Sequence, residues 1–108
     1  MSNKKRSQLN NVRPVALLGF SGANQDMLEY CFSSVVDCEL VAPSSAKILI
    51  VNGEQPISDA DIQAQAEKYT SDYKIVISIR DIEWESYHLL KKPHSSQDLL
   101  ELVRAYQI

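Results

Sequence analysis

The run Ile48-Leu49-Ile50-Val51 constrains this chain more than any other stretch. It is too short for an amphipathic helix, and it does not alternate as a strand with one wet face would. Three of its four residues are β-branched, so it reads as a central strand covered on both sides. That burial pattern belongs to parallel sheets, whose crossover connections place helices on the faces. Val15-Ala16-Leu17-Leu18, ended by Gly19, reads the same way. Glu39–Ala42, broken at once by Pro43-Ser44-Ser45, Lys74–Ile79 and Tyr87–Leu90 supply three further strands.

The segments between them carry helical spacing. Met27, Leu28, Cys31, Phe32 and Val35 recur as the apolar stripe of a helix over 24–36, with Ser21 or Asn24 available as its cap. Asn52-Gly53 fits a type I′ hairpin turn, but Glu54-Gln55-Pro56 does not alternate and contains a proline. The start of a helix fits better. Ser58 with Asp61 forms a capping box, Asp replacing the usual Glu, and Ile57 and Ile62 sit at hydrophobic-staple positions. This second helix extends to about Tyr69, with Ile62, Ala66 and Tyr69 on one face. Ser95 with Asp98 repeats the capping box ahead of a last helix striped by Leu99, Leu102, Val103 and Tyr106. The order β-α-β-β-α-β-β-α predicts an α/β fold around a mostly parallel five-stranded sheet. Two links, PSSAK (43–47) and RDIEWES (80–86), are shorter than the dozen or so residues of a helical crossover. Either a bare extended loop makes the crossover, or one strand pair is antiparallel.

A chain of 108 residues is one domain by size. Residues 1–13 lack periodicity and read as a flexible basic N-terminal arm, leaving 14–108 as the folded domain. The arm holds Lys4, Lys5, Arg6 and Arg13 and no acid. The remainder holds seven Lys/Arg against fourteen Asp/Glu, so +4 and −7 make the net charge of −3. A net-acidic body repels a phosphate backbone, which argues against nucleic-acid binding by the domain itself. No apolar run approaches the length of a membrane span or signal peptide, so a cytoplasmic protein without membrane attachment is expected. Cys31 lies on a helical apolar stripe and reads as a core thiol, and Cys38 reads as reduced. His88 and His94 are six residues apart with no accompanying cysteine cluster, which argues against a metal site. No metal and no cofactor is expected.

In order along the chain, these anchors resemble the receiver domain of bacterial response regulators, over roughly residues 13–108. In that family an acidic pair at the end of strand 1 holds Mg²⁺, and an Asp at the end of strand 3 accepts phosphate, with a Pro four residues on. A Thr or Ser ends strand 4, and Lys-Pro follows strand 5. Here strand 3 ends in Asn52 with Pro56 four residues later, Ser78 or Ile79 ends strand 4, and Lys92-Pro93 follows strand 5. Strand 1 instead ends in Gly19-Phe20. The resemblance implies a flavodoxin-like three-layer sandwich, strand order 2-1-3-4-5, with helices 2 and 4 shortened or missing.

The departures bear on function. Phosphoryl transfer of this kind needs a carboxylate nucleophile and a divalent ion. Gly19 and Phe20 offer no carboxylate, and the Asn52 amide is neither a useful nucleophile nor an anionic ligand. The resemblance is therefore to a degenerate receiver, a pseudo-receiver with no catalytic activity. Its relic pocket would comprise Gly19, Phe20, Asn52, Ser78 and Lys92. A hydrogen bond from Lys92 to Asn52 would fix one conformation without phosphate. Such a domain is expected to act as a protein-interaction or dimerisation module in bacterial signal transduction. Its partner would be a protein, with homodimerisation an option. Trp84 and Tyr87, in the acidic stretch where the family has its fourth helix, and Tyr106 are candidate interface residues. Alternatively Trp84 folds back to cover the core where that helix is missing. A rival reading is a small nucleotide-binding domain, cyclic-dinucleotide sensing included, because Gly19-Phe20-Ser21-Gly22-Ala23 opens a helix after strand 1. Its G-x-x-G spacing, Gln25 at the third glycine position and the absence of a Walker lysine count against it.

Overall fold

The computed structural model describes residues 12–107. The basic arm therefore lies almost wholly outside the described residues; its last member, Arg13, opens the first strand. Five strands, β1 (Arg13–Leu18), β2 (Cys38–Leu40), β3 (Ile48–Asn52), β4 (Tyr73–Ser78) and β5 (Tyr87–Lys91), form one sheet in the order β2-β1-β3-β4-β5. Every neighbouring pair is parallel. Three α-helices accompany them: α1 (Gly22–Ser33), α2 (Asp59–Ala66) and α3 (Ser96–Arg104). The result is a flavodoxin-like α/β sandwich.

Strand periodicity divides the core in two. Ile48 and Ile50 of β3 join Val15, Ile75 and Ile77 beneath Leu28, Cys31 and Phe32 of α1 and Leu99, Leu100 and Val103 of α3. Leu49 and Val51 point the other way, with Ala16, Ala46 and Ile62 and Ala66 of α2. All four apolar residues of β3 are fully buried.

Register explains why the two short links keep the sheet parallel. β2 ends at Leu40 and β3 begins at Ile48, and both pair with Val15 of β1. The link between them has no strand length to retrace. It only crosses β1, a sideways travel of about 10 Å, through a single 3₁₀ turn at Pro43–Ser45. The β4–β5 link does retrace, because Tyr87 pairs with Lys74 and Lys91 with Ser78. An extended loop of residues 79–86 reaches at most about 28 Å, enough to return along four residues and step across one strand. The extended-loop alternative is thus the one adopted, and no pair is antiparallel. The shortened second and fourth helices are a 3₁₀ turn and a loop.

Helix ends differ from expectation for local reasons. α1 starts at Gly22 and stops at Ser33 rather than running 24–36. At its end the Ser33 and Ser34 hydroxyls both donate to the Tyr30 carbonyl, at 3.2 and 2.6 Å, and the β-branched pair Val35-Val36 follows. At α2 the Ser58 hydroxyl accepts from Asp61 N–H at 3.1 Å, while Ile57 stays exposed and no staple closes. At α3 both halves of the Ser95–Asp98 box form.

One ion-paired knot ties the opposite end of the sheet to the helices. The Asp37 carboxylate accepts from Arg104 Nε at 2.6 Å and Nη2 at 3.0 Å. Arg13 lies 3.8 Å away and donates its side chain to the Tyr106 and Arg104 carbonyls. The bonded Arg104 guanidinium, opposed by burial, holds the Asp37 carboxyl below its ordinary value of 3.8. A depressed folded-state value contributes stability above the unfolded one, and that stability is lost as pH falls through the folded one. Asp37→Asn is expected to lower unfolding free energy by about 1–3 kcal/mol at neutral pH, since it removes charged hydrogen bonds. Urea titrations should show the deficit shrinking as pH falls below the ordinary value of 3.8; a deficit that does not change with pH contradicts this role. Burial pushes the Cys31 thiol up and the Cys38 thiol up to about 11. Both are expected to resist a thiol reagent in the folded protein at mildly alkaline pH and to react on denaturation.

Candidate functional site

Parallel pairing brings the carboxyl ends of β1, β3, β4 and β5 to one edge, where open α/β sheets bind ligands. β1 leaves the sheet through Gly19, whose φ of +87° lies in the left-handed region. A Cβ there would also run into the Gln55 carboxamide. The next residue, Phe20, packs into the core shared by α1 and α3. Of the two strand-1 positions, only Gly19 takes part in the edge network, through its carbonyl.

Asn52, the last residue of β3, uses both ends of its amide. Nδ2 donates to the Gly19 carbonyl at 2.9 Å, and Oδ1 accepts from the Glu54 N–H at 2.9 Å. Its own carbonyl accepts from Gln55 Nε2 at 3.0 Å. The three residues that follow each grip a different point. Gly53 donates its N–H to the Ile77 carbonyl at 2.8 Å. The Glu54 carboxylate accepts from the Ser78 hydroxyl at 2.5 Å and from the Ile79 N–H at 3.0 Å. Gln55 covers Gly19.

Ser78 ends β4, which settles the choice between Ser78 and Ile79, and it is fully buried whereas Ile79 is exposed. Its hydroxyl also accepts from the Arg80 N–H at 3.0 Å, so its hydrogen-bonding capacity is well used. Arg80 reaches back to the loop after β3. Nη2 donates to the Gly53 carbonyl at 3.1 Å and to Asp59 Oδ1 at 2.8 Å, and Nη1 to Asp59 Oδ2 at 3.3 Å. Asp59 is thereby held below its ordinary value, first by Arg80. Glu54 is held low by the Ser78 hydroxyl and the Ile79 N–H, with further help from the Lys92 and Arg80 charges.

Lys92 does not bond Asn52, contrary to the expectation. Its N–H donates to the Ser78 carbonyl at 2.9 Å, extending the ladder one step past β5, and its charge acts on Glu54 instead. The physical reason is that Glu54, not Asn52, presents the negative charge at this edge, while both ends of the Asn52 amide are already bonded. Gly19, Asn52, Ser78 and Lys92 therefore belong to one edge, linked through Glu54 and Gln55. Those two, with Arg80 and Asp59, are the members sequence reasoning missed. The available signal was an acid and an amide directly after Asn52-Gly53, and an arginine two residues past Ser78.

The candidate interface aromatics do not form one patch. Trp84 and Tyr87 meet edge-on, centroids 5.2 Å apart, and pack half-buried against the α2-side core. Trp84 thus covers the face where a fourth helix would lie. Tyr106 packs against the opposite core, 5.6 Å from Tyr73, with its hydroxyl bonded to Asp72 at 2.9 Å. His88 stacks on Tyr73. Among the described residues no group of three or more His, Cys, Asp or Glu could hold a metal ion, and no helix is long and apolar enough to cross a membrane.

This edge can close a loop; it lacks a carboxylate positioned as a free nucleophile. Asn52 is an amide, and the nearby Glu54 and Asp59 carboxylates are both bonded to internal donors. No protein-family model matches the chain, and no curated protein is significantly similar to it. A Cβ on Gly53 would lie 2.9 Å from Val76 Cγ2 and 3.0 Å from both the Ile77 carbonyl and Ile82 Cδ1. Gly53→Ala is accordingly expected to destabilise by about 1–3 kcal/mol through overpacking. A thermal melt matching wild type would show that the loop is free to shift.

Proposed function

We propose that this chain is a receiver-type domain stripped of phosphotransfer chemistry, acting as a protein-interaction or dimerisation module in bacterial signalling. The observation that carries the reading is the internal satisfaction of the strand-end edge. Asn52 stands where a receiver would have its acceptor, with its amide shared between the Gly19 carbonyl and the Glu54 N–H. The donors at the end of β4 are spent on Glu54. A switch of this kind responds to a partner through differential affinity for two conformations, not through a covalent phosphate. Retention of Ser78 and Lys92-Pro93 beside uncharged Gly19, Phe20 and Asn52 supports descent from a phosphate-driven design.

The test is addition of acetyl phosphate or beryllofluoride with Mg²⁺, read by amide NMR shifts. No specific change at Asn52, Ser78 or Lys92 is expected. Saturable perturbation centred on those residues overturns the proposal. Light scattering coupled to size exclusion reports whether the partner is a second copy.

A further inference from the structure

The outer edge of β2 and the flank of α1 beside it form a surface that the proposed function leaves unused. β2 ends the sheet and pairs with β1 alone among the described residues. Arg13 N–H donates to the Asp37 carbonyl at 2.9 Å, and Val41 N–H to the Val15 carbonyl at 2.9 Å. Parallel pairing alternates, so the N–H and C=O groups of Cys38 and Leu40 point outward, away from β1. Two cavities lie along the same flank and share Leu40 as a wall. One, of about 250 Å³, has apolar walls in Phe32, Val35 and Leu40. The other, of about 190 Å³, is bordered by Gln25, Glu29 and Val41. The surface also carries one sign of charge. Residues 14–46 contain Asp26, Glu29, Asp37 and Glu39 and no Lys, Arg or His. Asp37 is matched by Arg104 and Arg13 from elsewhere in the chain, while α1 carries no base of its own.

We propose that residues 4–9 of this chain's own basic arm bind this flank as a sixth, antiparallel strand beside β2, with Leu9 in the apolar cavity and Lys4, Lys5 and Arg6 facing the acids of α1. Connection and length both fit. The arm runs directly into Arg13, whose N–H is bonded to Asp37 at the start of β2. Residues 9–13 span about 13 Å when extended, enough to pass the end of β2 and reach its outer side one strand spacing away. The two cavities extend along α1 from Ser33 back to Gln25, about 12 Å of helix. The extended distance from Leu9 to Lys5 is about 13 Å. Leu9 is the one large apolar residue between Met1 and Val12, and it comes level with Phe32 and Val35 when the cations reach Glu29. An antiparallel edge strand on an otherwise parallel sheet is a common arrangement. In such edge addition main-chain bonds supply the affinity and side-chain pockets the selectivity. None of these residues belongs to the relic pocket, so the inference stands apart from the receiver reading.

Two measurements on the full chain test this. A nitroxide attached at Asn3→Cys, with the buried Cys31 and Cys38 left unlabelled, should broaden the amides of Gln25, Glu29 and Val41 and leave His88 and Leu90, at the opposite edge of the sheet, sharp. Amide hydrogen exchange is then compared among variants. Leu9→Asp should raise exchange at Leu40 by about fivefold or more, the loss of a main-chain hydrogen bond. Leu49 and Val76 should keep wild-type protection, confirming an intact fold. Lys5→Glu with Arg6→Glu should raise Leu40 exchange in the same way at low salt, and adding Asp26→Lys with Glu29→Lys should restore protection by exchanging the signs. Broadening that is uniform, or centred away from α1 and β2, overturns the docking. Equal Leu40 protection in wild type and Leu9→Asp does so too, as does a sign exchange that restores nothing. Broadening of isotope-labelled chains by a nitroxide on unlabelled ones would show arms exchanged between two copies and overturns occupancy by the chain's own arm.

Discussion

Everything in this molecule is arranged around a strand that water cannot touch. β3 buries Ile48, Leu49, Ile50 and Val51 completely, two on each face. A strand in that position needs a paired neighbour on each side and a packed layer above and below, because exposed backbone or side-chain surface there would forfeit hydrophobic burial and ladder bonds together. β1 and β4 supply the neighbours. α1 and α3 supply one layer, and α2 with Ala46 and Trp84 the other. The two layers are unequal, and the thinner one is completed by Trp84 from the 79–86 loop instead of by a helix.

The same parallel arrangement creates the polar edge. All strands running in one direction collect their carboxyl ends on one side, where the backbone must turn and polar groups lose their ladder partners. This chain satisfies those groups from within. Asn52 grips the end of β1, Gly53 and Glu54 grip the end of β4, and Arg80 grips back. An edge that is open to ligand in related architectures is here closed by the chain's own amides and carboxylates. Closure of this kind favours a single resting conformation.

Register also explains the economy of the connections. A parallel crossover is long only when the chain must retrace a strand. Because β2 stops at the level where β3 starts, both opposite Val15, the link between them shrinks to a 3₁₀ turn. The 79–86 loop does retrace, and it does so in extended form with Ser86 at a φ of 70° just before β5. Two of the connections can thus shrink to a turn and a loop without losing the parallel sheet.

The sequence by itself determined the strands, the serine caps of α2 and α3 and the α/β class. Those are written in local patterns: four apolar β-formers in a row, and Ser-x-x-Asp before an apolar stripe. It also fixed that Gly19, Phe20 and Asn52 carry no carboxylate, since residue chemistry is independent of conformation. Strand order followed from family resemblance, not from periodicity; the C-terminal end of α1 was displaced where serine hydroxyls bond the Tyr30 carbonyl, and α2 stops at Ala66, short of Tyr69. What only the tertiary structure decided was partnership. Glu54 and Ser78 are twenty-four residues apart, and Arg80 and Asp59 twenty-one. Such pairs leave no local trace, because the choice of acceptor for a long, rotatable side chain is made by whichever donors the folded sheet brings within about 3 Å of it.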